Sequence, residues 1–291
     1  MSPTATVPED VTPPTQPGVM LPPGPPMPPA PPATGMVPEP NGPLTGLTIG
    51  PWAAIGYAVL VIVFNVALQL VVALPAVREG LRALVASTAG VQAANRGLIT
   101  ALLVAGVSTV GYLILLTPAV ALARARGVRF TEAFGLHRFR LGQTFWLTAA
   151  VVFGGLFVTV GYALFLRGFG ISAPNNTVAL VQGFGSGPAA MAVGFVLVAV
   201  IAPFVEEVTF RGVVFAGLRA RWGMVAAVIV SGLLFGIVHL EPLETVPLAI
   251  IGMGLAGVFA RSRSLWPAII AHGCYNAVVL AIAFGSAGLL R

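Results

Sequence analysis

The stretch Glu206-Glu207-Val208-Thr209-Phe210-Arg211 places two carboxylates and a guanidinium directly after an apolar run from Met191 to Val205. A charge at the centre of a bilayer costs about 2.5–3.5 kcal/mol on insertion scales, so such residues usually face a polar interior. On a helix of 3.6 residues per turn, Glu207 and Arg211 share one face in the order that favours pairing. Glu206 lies about 100° away around the same helix. The stretch therefore predicts an ion pair beside a free carboxylate.

The composition indicates an all-α polytopic membrane protein. The 291 residues are 57% hydrophobic and 8% charged, whereas soluble domains carry about 25% charged residues. We expect about seven to eight transmembrane helices around a polar cavity. The 15 basic residues are all arginine and lie between apolar spans, which excludes a nucleic-acid-binding stripe. The single Cys274 excludes an intrachain disulfide and a cysteine-based zinc cluster.

The chain divides into three parts. Residues 1–50 hold 16 of the 25 prolines and no aromatic or basic residue, so we expect a disordered, polyproline-like tail whose partner is unknown. Residues 51–187 contain the N-terminal transmembrane helices and a basic cytoplasmic loop, and residues 188–291 contain a helical core that includes the charged stretch. Outside the tail the apolar spans lie near residues 52–74, 98–123, 143–166, 188–218, 224–239, 245–260 and 265–284.

The arginines indicate the orientation. The loop from Arg124 to Arg140 is the densest basic cluster, so the positive-inside rule makes it cytoplasmic. Counting spans outward from this loop makes the proline-rich tail cytoplasmic too. The clusters at Arg219–Arg221 and Arg261–Arg263 then also fall on the cytoplasmic side. The absence of lysine and the abundance of alanine, glycine and valine suggest a GC-rich genome.

A histidine and a carboxylate are predicted at similar depth. If the helix that carries Glu206 turns back at Arg221–Gly223, Glu206 lies 16 residues before Trp222 and His239 lies 17 after it. At 1.5 Å per residue the two side chains then lie at nearly the same level. His272 and Asn276 share a face of the last span, but they meet the others only if the helix ends are staggered by about 10 Å.

These residue types fit the hydrolysis of an acyl or peptide bond. A carboxylate with an imidazole can activate water, and a second imidazole with an amide can stabilise the resulting oxyanion. Other interpretations stay open for single residues: the Glu207–Arg211 pair could simply fix helix packing, and Asn276 could be an interhelical hydrogen bond.

The ordered motifs resemble those of the intramembrane endopeptidases grouped as CAAX prenyl proteases and bacteriocin-processing enzymes, also called the CPBP or Abi family. The resemblance covers roughly residues 196–279 and leaves out the N-terminal spans and the tail. The family's Glu-Glu-x-x-x-Arg, Phe-x-x-x-His and His-x-x-x-Asn patterns are met here by Glu206, Glu207 and Arg211, by Phe235 and His239, and by His272 and Asn276.

The resemblance implies a membrane protease with a water-filled cavity. Glu206 would be the general base, His239 would hold the water, and His272 with Asn276 would stabilise the oxyanion. Structural or substrate-orienting roles would fall to Glu207, Arg211 and Phe235. A metal-free glutamate mechanism is favoured and no cofactor is required. If zinc is bound instead, its ligands would be Glu206, His239 and His272.

Two other functions compete with this one. Intramembrane Glu and His could form the relay of a proton-linked transporter, although the sequence has no internal repeat typical of such carriers. The chain could also be a non-proteolytic membrane scaffold or immunity protein. For the protease, the expected partners are the lipid bilayer and a membrane-associated peptide or protein. The size range of the family it resembles indicates a bacterial member in the plasma membrane, for which a prenylated substrate is doubtful.

Overall fold

A computed structural model of the chain describes residues 43–88, 90–171, 177–178, 181–182 and 187–286. Every regular element within these ranges is helical, which confirms the predicted all-α class. The helices with described ends are α1 (Pro51–Ala73), α2 (Pro75–Ala86), α3 (Ala93–Ala125), α4 (Phe130–Ala133), α5 (Leu141–Gly168), α6 (Pro188–Val196), α7 (Ala202–Glu207), α8 (Ala216–Val238), α9 (Thr245–Ser262) and α10 (Leu265–Ser286).

Six helical stretches in the described part of the chain are long and apolar enough to cross a membrane. They are Pro51–Val71, Asn95–Ala125, Thr144–Gly168, Pro188–Val238, Thr245–Ser262 and Leu265–Ser286. The protein is thus an integral membrane protein, as its hydropathy predicts. Six is fewer than the predicted seven to eight, because the fourth stretch, of 51 residues, was predicted as two separate helices.

This fourth stretch folds back on itself at Gly223. A straight α-helix would separate Phe210 from Phe235 by about 38 Å at 1.5 Å per residue, yet their ring centroids are 5.2 Å apart. Gly223 has a φ of 79° and a ψ of 178°, a conformation that residues with a side chain rarely adopt. The turn predicted at residues 221–223 is therefore confirmed, and it brings α8 back along the segment that carries the two glutamates.

We call the part of this stretch before Gly223 its first limb and the part after Gly223 its second limb. Pro203 changes the hydrogen bonding of the first limb without ending the helix. Proline has no N–H, so carbonyl groups one turn before it lose their helical donor. The chain is π-helical on both sides of α7, at Leu197–Ile201 and at Val208–Phe215. Because Glu206 and Glu207 end α7, they lie between two π-helical segments, which are rare and often occur at functional sites.

The arginine-bearing connections meet at one end of the helices, which we call the basic end. The backbone N–H of Leu265 donates to the carbonyl of Gly135 over 2.8 Å. The hydroxyl of Ser264 donates to the carbonyl of His137 over 2.6 Å. These bonds tie the connection between α3 and α5 to the turn between α9 and α10.

All four tryptophans lie at this same end. Trp52 begins α1 and touches Trp222 of the reversal, with ring centroids 5.7 Å apart. Trp146 is in the second turn of α5, and Trp266 is in the first turn of α10. Tryptophan concentrates at membrane–water interfaces, so the ring positions mark the level of one interface at the basic end.

The segment just before α1 is packed into the basic end. Leu44 and Leu47 are buried, and the backbone N–H groups of Gly46 and Leu47 donate to carbonyls at the end of α4 over 2.6 and 3.2 Å. The predicted disordered tail covers residues 1–50, of which residues 1–42 lie outside the described residues. Residues 43–49 are held by these backbone bonds and apolar contacts, which their tail-like composition did not indicate.

Small residues allow α8 and α9 to pack closely. A Cβ added at Gly236 would collide with the carbonyl oxygen of Thr245, and one at Gly232 with the side chain of Met253. Small residues at such positions let two helix backbones approach in a membrane. The close approach brings the backbone of α9 within reach of the buried charges on the first limb.

Candidate active site

Glu207 and Arg211 form a buried ion pair, as their spacing predicts. Arg211 Nη1 donates to Glu207 Oε1 over 2.7 Å, and the two side chains are 1% and 0% exposed. Arg211 Nη2 donates to the carbonyl of Gly252 over 2.8 Å, and the guanidinium lies 4.5 Å from the ring centroid of Phe235. Buried charges persist only when they are paired and hydrogen-bonded. The pair therefore joins the first limb to both α8 and α9.

His272 of α10 binds the same carboxylate. Its Nδ1 lies 2.9 Å from Glu207 Oε1, the oxygen that also accepts from Arg211. Because an ionised carboxylate only accepts hydrogen bonds, the imidazole is the donor and Nδ1 carries the proton. This bond fixes the ring and directs Nε2 away from Glu207.

Glu206 occupies a different environment from its neighbour. Its side chain is 21% exposed, and its Oε2 lies 3.7 Å from Nε2 of His272. That distance exceeds a hydrogen bond, so Glu206 faces the imidazole without being bound to it. One glutamate is thus fixed inside the protein, whereas the other can still be reached from outside.

Phe235 lies between the two histidines. Its ring centroid is 4.9 Å from that of His239 and 5.6 Å from that of His272, with edge-on contacts to both. Its backbone carbonyl is 2.7 Å from His239 Nδ1. Because a carbonyl can only accept, Nδ1 carries the proton and a neutral His239 has its free lone pair on Nε2. The Phe-x-x-x-His spacing thereby sets the tautomer of the histidine.

Asn276 stabilises the π-helical segment before α7. Its Nδ2 donates to the carbonyl of Val198 over 2.9 Å. In a π-helix that carbonyl would accept from the N–H five residues later, which is the position of Pro203 and has no N–H. The side-chain amide replaces the missing donor. Gly273 lets α10 come this close, because a Cβ there would lie 2.5 Å from the carbonyl oxygen of Ala199.

The histidine beside the carboxylates is His272. In the described part of the chain no ion pair joins His239 to a carboxylate, whereas His272 contacts both Glu206 and Glu207. The predicted equal depth of Glu206 and His239 stays a prediction. His239 contacts the cluster through the ring of Phe235, which also touches His272.

The candidate zinc ligands do not form a metal site in this arrangement. No group of three or more His, Cys, Asp or Glu side chains within the described ranges is placed to hold a metal ion. Nδ1 of His272 is held by Glu207 and Nδ1 of His239 by a backbone carbonyl, which is also how histidines that bind a metal through Nε2 are held. Glu206, His239 and His272 are nevertheless not grouped so that they could hold zinc together in this arrangement.

Two residues near the site carry no sequence signal. Tyr112 of α3 packs against the buried apolar residues of the core and is close enough to Glu206 for the two side chains to interact electrostatically. Glu244 precedes α9, and its partial burial raises the pKa of its carboxyl; the charge of Glu241 adds to this rise and His239 opposes it. Neither belongs to a motif, and only tertiary packing brings them near Glu206 and His239.

The predicted polar cavity stays a prediction. Cavities of about 410 and 340 Å³ in the described part of the chain are lined by no predicted site residue. The larger is between α5 and α9, and the smaller is at the basic end beside Trp266.

Comparisons with known proteins match the part of the chain that holds the site. Residues 188–278 match the family described as "Type II CAAX prenyl endopeptidase Rce1-like". An 81-residue stretch is 30% identical to the "Putative membrane peptidase YdiL" of Bacillus subtilis (strain 168), covering 28% of this chain and 33% of that protein. The chain thus spans about a third of the length of that relative.

A second relative extends over more of the chain. A stretch of 148 residues is 29% identical to the "UPF0177 protein YbdI" of Lactococcus lactis subsp. lactis (strain IL1403), covering 49% of this chain and 77% of that protein. No solved structure matches the chain.

Proposed function

Because residues 188–278 belong to the Rce1-like type II CAAX prenyl endopeptidase family, we propose that this protein is an intramembrane endopeptidase. It would hydrolyse a peptide bond of a membrane-associated protein or peptide with a water molecule activated by Glu206. The observation that carries the proposal is the contrast between adjacent glutamates: Glu207 is 0% exposed and its Oε1 accepts from both Arg211 and His272, whereas Glu206 is 21% exposed and faces Nε2 of His272 at 3.7 Å.

Glu206 is the general base of the proposed reaction. It is the reachable carboxylate of the pair, and no hydrogen bond to a described protein group occupies it. A water bound to this carboxylate loses a proton to it as the water oxygen attacks the peptide carbonyl carbon. Glu207 is not assigned this role, because it is fully buried and its Oε1 already accepts from Arg211 and His272.

His239 holds the attacking water. Its Nδ1 donates to the carbonyl of Phe235, so a neutral imidazole offers the lone pair of Nε2 to an O–H of the water. The side chain is part-buried, which leaves one face accessible. The water thus donates to two acceptors, the carboxylate of Glu206 before the reversal at Gly223 and Nε2 of His239 after it.

His272 and Asn276 stabilise the oxyanion. Glu207 holds Nδ1 of His272, so Nε2 faces Glu206 and a doubly protonated ring donates from Nε2 to the oxyanion. Asn276 uses one N–H for Val198 and keeps a second one. Such fixed donors contribute most where charge develops in the transition state.

The proton then passes from Glu206 to the departing amide nitrogen. The C–N bond breaks as the tetrahedral intermediate collapses, and the new carboxyl group passes its remaining proton to the amine, so the products are one carboxylate and one ammonium. The sum is one peptide bond and one water consumed, with Glu206 returned to its ionised form. The steps are written without a cofactor, and none is assigned to zinc because no group of three or more potential ligands in the described ranges is placed to hold a metal ion.

The distribution of the arginines supports an orientation of the protein in the membrane. We place the basic end at the cytoplasmic face of a bacterial plasma membrane, with the proline-rich tail on the same side. Peptide maturation or the processing of membrane-associated signalling proteins suits this setting better than cleavage of prenylated CAAX proteins. The tail's partner is not assigned.

The test is cleavage by purified protein in lipid nanodiscs, using a quenched fluorogenic library of membrane peptides. Wild type, Glu206→Ala and His239→Ala are compared, each with and without a zinc chelator. Glu132→Gln is the matched control, because that exposed carboxylate pairs with Arg129 outside the spans.

We expect both site variants to lose cleavage while the control retains it, with no effect of the chelator. Cleavage undiminished in Glu206→Ala would contradict the assignment, and loss on chelation would move the chemistry to a metal. If wild type cleaves no member of the library, the scaffold and transporter alternatives gain.

A further inference from the structure

An apolar groove runs along the outer surface between α5 and α9, apart from the candidate active site. Its volume is about 410 Å³, within the usual range of ligand sites. Its walls are mostly small or aliphatic side chains, including Val151, Gly154 and Val158 of α5 and Gly254 and Gly257 of α9. Glycine makes the room, because a Cβ added at Gly154 or Gly257 would meet no heavy atom within 4 Å.

The groove has the depth of one membrane leaflet. Its walls extend from Leu147 to Val158 on α5 and from Ile250 to Arg261 on α9. Each range covers about 16 Å at 1.5 Å per residue, which is half of a hydrocarbon core about 30 Å thick. One end lies near the middle of the bilayer, and the other lies at the basic end.

The end near the interface carries an unpaired positive charge. Arg261, in the last turn of α9, lines the groove and is exposed. No ion pair or hydrogen bond of its guanidinium occurs in the described part of the chain. Trp146, next to Leu147 of the groove wall, is 73% exposed and marks the headgroup level.

We propose that this groove binds one acyl chain of an anionic phospholipid, with the lipid phosphate on Arg261. The apolar walls fit the chain, the length fits one leaflet, and the arginine complements the negative headgroup. Basic pockets between transmembrane helices are a known means of holding anionic lipids. Lipid binding in this groove is independent of catalysis, because none of the predicted site residues lines the groove.

The test is native mass spectrometry of the full-length, delipidated protein in detergent, titrated with phosphatidylglycerol or with phosphatidylcholine of the same chains. Arg261→Gln removes the charge without changing the groove, and the double variant Gly154→Leu, Gly257→Leu fills the groove without a backbone collision. Gly161→Leu is the matched control, because Gly161 is on α5, outside the groove, and its Cβ would also meet nothing within 4 Å.

We expect wild type and Gly161→Leu to bind one phosphatidylglycerol about fivefold more tightly than phosphatidylcholine, the factor that one arginine near a lipid phosphate supplies. Arg261→Gln should lose this preference, and the filled groove should lose the bound lipid. Equal binding of both lipids by wild type, or equal phosphatidylglycerol binding by all variants, would overturn the proposal. Displacement of the lipid by an S-farnesylated peptide would assign the groove to a lipidated substrate and overturn it too.

Discussion

Nδ1 of His272 lies 2.9 Å from Oε1 of Glu207, although the two residues are 65 positions apart. Through this bond the last helix holds the same carboxylate oxygen that Arg211 holds from within the first limb. The two adjacent glutamates therefore occupy different environments. Glu207 is fixed in the buried interior, whereas the side chain of Glu206 stays accessible.

Glu207→Gln should destabilise the protein far more than Glu206→Gln. The first change leaves the guanidinium of Arg211 buried without its counter-ion, which costs about 3–5 kcal/mol in measured buried pairs. The second alters a partly exposed side chain and should change stability by about 0.5 kcal/mol or less. Thermal unfolding in one detergent compares the two variants directly. Equal melting temperatures would contradict the assigned roles.

Asn276→Ala should lower stability even without substrate. The change leaves the carbonyl of Val198 with no donor, because Pro203 cannot replace the amide, and an unsatisfied buried polar group costs about 1–3 kcal/mol. Asn276→Asp should be no better, since a carboxylate cannot donate to a carbonyl. The check is thermal unfolding of both variants against wild type. An unchanged melting temperature for Asn276→Ala would show that the Val198 bond is not needed.

Gly236→Ala should loosen the contact between α8 and α9. Its Cβ would collide with the carbonyl oxygen of Thr245, and overpacking of this kind costs about 1–3 kcal/mol. Gly161→Ala, on open surface, is the control and should have little effect. Protease resistance and melting temperature of the two variants measure the difference. A tolerated Gly236→Ala would mean that the helices are further apart.

Glu244 should make stability depend on pH. Burial raises the pKa of its carboxyl above the ordinary 4.5, so the folded protein holds this proton more tightly than the unfolded chain. Its contribution to stability is therefore fully present below about pH 4.5 and is lost as the pH rises through the folded-state pKa. In Glu244→Gln this loss should disappear, so the variant gains stability relative to wild type near pH 8.

Melting temperatures of wild type and Glu244→Gln across about pH 4–8 check this expectation. Glu132→Gln is a control of opposite sign, because the hydrogen bond from Arg129 lowers the pKa of Glu132. The stabilising contribution of ionised Glu132 to the folded protein is therefore present at neutral pH and is lost as the pH falls. Parallel curves for wild type and Glu244→Gln would refute the predicted role of Glu244.

The sequence predicted the helices and the reversal well because both depend on local chemistry. Long apolar runs have few alternatives to a membrane helix, and a glycine between short basic flanks marks a turn. The Glu207–Arg211 pair was also predictable, since its spacing lies within one helix turn. In each case the signal and the structure involve residues close together in the chain.

Relations between helices were harder to predict. Periodicity gives the face of a helix but not its rotation or depth against a neighbour, so the sequence did not predict that His272 contacts both Glu206 and Glu207. The π-helical segments change the residue count per turn and carry no clear sequence signal apart from Pro203. Tyr112 and the packed residues 43–49 depend wholly on tertiary contacts.

The most direct test of the account is the rate of peptide cleavage by Glu206→Gln, measured on a substrate that wild type cleaves and at a temperature where both proteins are folded. Amide replaces carboxylate with almost no change in shape, so only the ability to accept the water's proton is removed. We predict a fall of about 10²–10⁴-fold, the usual contribution of a general base, with an unchanged melting temperature. A rate within a few-fold of wild type would contradict the assignment of Glu206 as the base.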